Sequence, residues 1–298
     1  MDTSAGAHPG VTATRWFRTA AAIFFVALWG SAFVPSKIGV LASSPLWFLV
    51  FRFAASGAVA LAIALALGSP WPRGLRPWIL VITLGVLANA MYLGFTYEAL
   101  RHLAAGVGAV VTSTNPLLLA LLAPAFLGER LSLWKSIGLL LGFAGVVAIM
   151  IARSGTGSAQ PRDVALVFVA TMASVASTIV FKKFLVDLDV RMTTALQLFA
   201  AAIVLLPLAI VLEGAPHATW GVPIVASFVY LVVVMSVGGS LLWFWLLEKG
   251  EASRVTAYYF LSPVFGLVIA SFFGEALSVR DLGGLAAIAV GIAIVQRA

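Results

Sequence analysis

The chain contains no cysteine, which rules out disulfides, thiol chemistry and any cysteine-ligated metal. Charge is almost as scarce. Only 10% of the residues are Asp, Glu, Lys or Arg, where ordinary soluble domains carry about 25%. The three histidines, His8, His102 and His217, lie far apart near segment ends, so no His-x-x-x-His spacing offers two ligands on one helix face. All 11 acidic residues fall near loops or segment ends, which leaves no mid-membrane carboxylate of the kind a proton relay uses. No Walker A sequence is present to hold ATP. With no His, Asp or metal constellation at membrane depth, the expectation is a non-enzyme with no catalytic residue, metal or cofactor.

What fills the chain instead is apolar surface. Of 298 residues, 62% are hydrophobic, and the mean hydropathy is +1.10. A soluble core cannot hide that excess, whereas lipid tolerates it. The net charge of +7 would suggest nucleic-acid binding in a soluble protein. Here it suits Lys and Arg held in cytoplasmic loops. The expected partners are therefore a lipid bilayer and a small-molecule substrate, with no nucleic acid and no obligate protein partner.

A spanning helix needs about 20 apolar residues. Ten candidates appear, near 19–40, 46–67, 78–98, 103–126, 133–152, 163–183, 193–212, 222–246, 253–273 and 281–296. Turn residues such as Gly68-Ser69-Pro70-Trp71-Pro72 separate many of them. The first span is too long for a signal peptide's core, and residues 1–17 read as a disordered cytoplasmic N-terminus. With the N-terminus inside, Arg15, Arg18, Arg73, Arg76, Arg130, Lys135, Lys182, Lys183, Arg191, Lys249, Arg254 and Arg297 share its side. Arg101, Arg153, Arg162 and Arg280 face the other. That bias follows the positive-inside rule and favours an even number of spans.

The two halves repeat one another. Gly128-Glu129-Arg130-Leu131-Ser132 precedes the fifth span and Gly274-Glu275-Ala276-Leu277-Ser278 the tenth. Asn115-Pro116 is echoed by Ser262-Pro263, Gly138 by Gly284, Gly145 by Gly291, and Phe25-Val26-Ala27 with Ser31 by Phe168-Val169-Ala170 with Ser174. Repeats at 18–152 and 163–296 hold five spans each. An odd count makes the second an inverted copy of the first. Inverted repeats mark secondary transporters, whose site lies near the midplane between the copies. The fold class is thus all-α integral membrane, ten helices in two inverted five-helix repeats.

Trp29-Gly30-Ser31-Ala32-Phe33 with Lys37 in the first span, Arg52-Phe53 in the second and the doubled Gly-Glu-x-Leu-Ser together resemble the EamA-domain family of the drug/metabolite transporter superfamily, over nearly the whole chain. The resemblance implies a ten-helix alternating-access carrier in the bacterial inner membrane, with both termini cytoplasmic, exporting amino acids that include aromatic ones. The second copy departs from the pattern, with Met172-Ala173 where the first has Trp29-Gly30. Those positions need not do equivalent work. A carrier of the same fold moving a sugar phosphate or nucleotide sugar stands as the alternative. Such anions want several basic residues in the cavity, and only Lys37 and Arg52 qualify.

Asn89, Tyr92 and Thr96 form one stripe on the third span. An offset of 147 maps them to Ser236, Gly239 and Trp243 on the eighth. Thr112, Ser113, Thr114 and Asn115 run together on the fourth span, with Tyr258, Tyr259 and Ser262 in the matching stretch of the ninth. The expected substrate-lining set is Trp29, Asn89, Tyr92, Thr96, Thr112, Asn115, Trp243, Tyr258 and Ser262, since amides, hydroxyls and rings suit a zwitterion with a variable side chain. Any one of them can equally bond a neighbouring helix. Lys37 reads as a snorkelling lysine near the outer interface. Arg52 lies deeper, and either pairs with Glu98 or meets a substrate carboxylate. Glu129 and Glu275 read as complements to the N-termini of the fifth and tenth helices, with Ser132 and Ser278 as their caps.

Overall fold

The computed structural model describes residues 9–99, 101–102, 111–153, 160–262, 265 and 279–298. Its described regular structure is helical, apart from one antiparallel bridge between Ser43 and Ala218. Ten helical segments follow in order among the described residues. α1 runs Pro9–Ser31 and resumes after Ala32 as Phe33–Ala42. α2 is Pro45–Ala66, α3 Leu75–Ala99, α4 Asn115–Leu127 and α5 Leu133–Arg153. α6 is Pro161–Leu185, α7 Val190–Glu213 and α8 Val222–Lys249. α9 is Ala252–Ala257, continued by a 3₁₀ turn Tyr258–Leu261, and α10 is Val279–Arg297. Among the described residues six helices are long and apolar enough to cross a membrane, and three shorter apolar helices accompany them. The chain is an all-helical membrane protein of about ten helices.

Local chemistry sets several boundaries. Proline stands at the first turn of α2, α4, α6 and α8, where a missing N–H costs nothing. Gly128 follows α4 at φ 68°, in the left-handed region that suits glycine. Residues 9–17, expected to be disordered, are helical and belong to α1. Residues 1–8, the start of the fourth span at 103–110, Pro263 and Gly274-Glu275-Ala276-Leu277-Ser278 lie outside the described residues.

The most extensive packing sets α5 against α10 and α2 against α7. Between α5 and α10 the backbones nearly touch. A Cβ built on Gly138 would lie 2.7 Å from the Gly291 carbonyl oxygen, and one on Gly145 2.6 Å from that of Gly284. The reverse distances, from Gly291 and Gly284, are 2.5 and 2.8 Å. Gly138 is the counterpart of Gly284 and Gly145 of Gly291. Exchanging the two copies therefore turns one contact into the other, as a two-fold axis between antiparallel helices demands. Likewise α3 packs on α6 as α8 packs on α1.

Arg18 of α1 and the end of α10 both meet the junction of α8 and α9, whose face is here called the terminal face. Arg18 on α1 donates to the Lys249 carbonyl at the end of α8, and Arg254 on α9 donates to the Gln296 carbonyl near the end of α10. Glu129 does not serve its own α5. Its carboxylate crosses to the start of α9 and accepts from the Ala252 and Ser253 amides at 2.6 and 3.1 Å, which corrects the expectation that it complements α5. The α5 cap is Ser132, whose hydroxyl accepts from the Lys135 amide at 3.1 Å. On the far face Glu213, ending α7, accepts from the Leu46 and Trp47 amides at the start of α2.

Candidate substrate site

Two helices lose α-geometry at corresponding places. α3 is π-helical over Val86–Met91 and α8 over Leu231–Gly239. The 147-residue offset carries the first stretch into the second. π-turns are rare and concentrate at functional sites. Here they present Asn89 and Ser236 to the space between the copies. Close packing holds α3 in place: a Cβ on Gly85 would sit 2.2 Å from the Gln197 carbonyl oxygen of α7.

That space is a cavity of about 70 Å³. It is far smaller than the roughly 300–1,000 Å³ of pockets that enclose a drug-sized ligand. Part of the lining is aromatic. Phe25 stacks on Trp243 at 5.1 Å between ring centroids, Trp29 on Tyr92 at 6.0 Å, and Tyr259 lies 5.2 Å from Trp243 and 6.0 Å from Trp29. The lining also holds polar groups, among them Arg52, Asn89, Ser174, Ser177, Gln197 and Ser236.

These polar groups make two hydrogen bonds related by the pseudo-two-fold. Arg52 Nε donates to Ser236 Oγ at 2.9 Å, linking α2 to α8. Asn89 Nδ2 donates to Gln197 Oε1 at 3.0 Å, linking α3 to α7. Gln197 follows Arg52 by 145 residues and Ser236 follows Asn89 by 147, so the two bonds are counterparts. The first carries a charge and the second does not. Arg52 sits seven residues into α2 from the far face, and Gln197 seven residues into α7 from the terminal face.

Arg52 is 5% exposed. Its Nη1 donates to the Tyr97 hydroxyl at 3.1 Å, which donates onward to Ser36 Oγ at 2.7 Å, and its Cζ lies 5.6 Å from the Phe53 ring centroid. Glu98 is not its partner. That carboxylate pairs with Arg101 at 3.1 Å and Arg162 at 4.0 Å near the far face, because it lies on the exposed end of α3 while Tyr97 beside it turns inward. Among the described residues no carboxylate comes within ion-pair distance of Arg52. Lys37 is exposed and does not line the cavity.

Of the expected lining residues, Trp29, Asn89, Tyr92 and Trp243 meet at the cavity. Thr96, Thr112, Asn115, Tyr258 and Ser262 do not line it. Thr96 donates to the Tyr92 carbonyl one turn back, and the Tyr258 hydroxyl faces Thr19 at 3.5 Å. Asn115 stands one layer behind, donating to Ser174 Oγ at 3.1 Å. Phe25, Gln197 and Tyr259 were not expected at the site. A lone glutamine seven residues into an apolar span was the available signal for Gln197. Tyr259, in the same 3₁₀ turn, takes the place expected of its neighbour Tyr258. A larger cleft of about 580 Å³ opens on the terminal face beside Lys182 and Glu129. Those groups are committed to joining helices, Lys182 to the Leu247 and Gly250 carbonyls and Glu129 to the start of α9.

The sequence pattern of the EamA-like transporter family matches residues 18–151 and again 162–297. The transporter YvbV of Bacillus subtilis is 32% identical over 277 residues, covering 92% of this chain and 89% of its own. A "Probable terminal-alkyne amino-acid exporter" of Streptantibioticus cattleyicolor is 27% identical over 281 residues, covering 93% and 92%. A solved crystal structure superposes with a TM-score of 0.78 at 22% identity, covering 94% of this chain and 96% of that one, which establishes a shared fold. The chain belongs to the EamA-like transporter family, a family of multi-pass membrane transporters and not of enzymes.

Proposed function

We propose that this EamA-like transporter exports amino acids, aromatic ones among them, across the bacterial inner membrane by alternating access with both termini cytoplasmic. One observation carries the reading: a cluster of rings and a set of amides, hydroxyls and a single guanidinium line one cavity between the two copies. Rings suit an apolar side chain, and the polar groups suit the charged head of an amino acid. The Streptantibioticus relative and the motif resemblance to the amino-acid exporter YddG support the same cargo class. Arg52 is the one basic side chain on the described lining, whereas a sugar phosphate or nucleotide sugar asks for several.

The inverted copies supply the mechanism. Exchanging their conformations turns a cavity open to one face into one open to the other at similar energy. Counterflow of labelled amino acids into proteoliposomes of the pure protein tests the cargo. Saturable flux of phenylalanine and related amino acids is expected, and no flux across a broad amino-acid panel would overturn it.

A further inference from the structure

We infer that Arg52 reads a negatively charged group on the cargo, and that Gln197, its uncharged counterpart, faces the cargo's other end. The inference rests on the amino-acid reading above and goes beyond it by naming what the site requires. Arg52 stays protonated in any protein setting, and of its five N–H groups the described hydrogen bonds use two, to Ser236 and Tyr97. Both partners are neutral hydroxyls. A charge at this depth ordinarily faces a partner or a pathway, and the described residues supply no carboxylate. The guanidinium fork matches a carboxylate in two-point contact.

The pseudo-two-fold sharpens the assignment. The link that Arg52 makes to Ser236 is made in the other copy by the neutral Gln197 to Asn89, so joining these helices does not itself call for a charge. The charged bond lies toward the far face and the amide pair toward the terminal face. A zwitterion bound between them points its carboxylate at Arg52. Its ammonium group goes to the amide oxygens or the ring faces, which accept a cation.

The test uses wild-type protein in proteoliposomes, with labelled L-phenylalanine as reporter and three competitors. 3-Phenylpropionate keeps the carboxylate and loses the amine. Phenethylamine keeps the amine and loses the carboxylate. Phenylalanine methyl ester masks the carboxylate. The first should compete, while the other two should bind at least roughly tenfold more weakly than phenylalanine. Arg52→Gln should abolish that ranking along with most of the flux, and Arg52→Lys should keep the ranking. Ester or amine competing as well as phenylalanine overturns the assignment even if Arg52→Gln fails to fold, and leaves the carrier reading standing. Unchanged ranking in a folded Arg52→Gln protein does the same. No flux of phenylalanine or of any other amino acid in the wild type overturns both.

Discussion

The seam between α5 and α10 and the central cavity obey the same pseudo-two-fold, but differently. At the seam each copy contributes the same glycines, and the contacts interchange within a few tenths of an ångström. At the cavity the counterparts differ in kind: Arg52 is matched by Gln197, while Trp29 on the lining is matched by Met172, which is not on it. The contrast shows where duplication constrains a sequence. Backbones that touch admit only glycine, so both copies keep it. On the amino-acid reading, the cavity matches a cargo that lacks this symmetry, so its two halves are free to diverge.

The largest effect should come from breaking the seam. Gly145→Ala or Gly291→Ala puts a methyl group 2.5–2.6 Å from a backbone carbonyl oxygen. Overpacking of this kind costs about 1–3 kcal/mol. Thermal unfolding in detergent should show both variants lowered by similar amounts, since they are counterparts. One variant behaving as wild type would disprove the interchange. The cavity should answer unequally to the same exercise. Trp29→Ala removes the ring stacked on Tyr92 and should raise the half-saturation for phenylalanine roughly three- to tenfold. Met172→Ala, at the corresponding place on α6, should leave it unchanged. Equal effects would mean that the asymmetry does not serve the cargo.

A smaller difference lies at the helix starts. Asp189 caps α7 by accepting from the Arg191 and Met192 amides at 3.0 Å, whereas Ser44, at the start of α2, makes no such bond and Glu213 reaches over instead. Partial burial pushes the Asp189 carboxyl up. The Arg191 guanidinium and the Met192 amide outweigh it and hold the group at about 2. A depressed carboxylate stabilises the fold above its ordinary value near 3.8 and loses that contribution as pH falls toward 2. Melting temperature should therefore drop across this window, and Asp189→Asn should flatten part of the drop. Arg191 is exposed, so the effect is modest.

Much of the architecture was legible because it is written locally. Span positions follow from runs of apolar residues, and the doubled glycines and prolines gave the repeat before any contact was known. Asn89, Tyr92 and Trp243 were legible as cavity residues because a polar or aromatic stripe at helical spacing keeps one face, and Trp29 stood out as a ring within the first span's motif. Thr96, by contrast, lies four residues beyond Tyr92 on the same stripe, yet its hydroxyl turns back to the backbone, as threonine in a membrane helix commonly does. Glu129 was read as serving the helix that follows it, since nothing local revealed that the start of α9 lies within reach.

By itself, the sequence determined that this chain lives in lipid, crosses it about ten times and is made of two copies, because hydropathy and repetition depend only on order along the chain. The fold alone decided that Arg52 would face Ser236 and Tyr97 instead of Glu98, that Gln197 would mirror it, and that Tyr259 would replace Tyr258. Each of those outcomes depends on how far a helix is turned about its axis. The π-turns of α3 and α8 and the 3₁₀ turn of α9 change that rotation by a fraction of a turn, and residue order carries little trace of such a change.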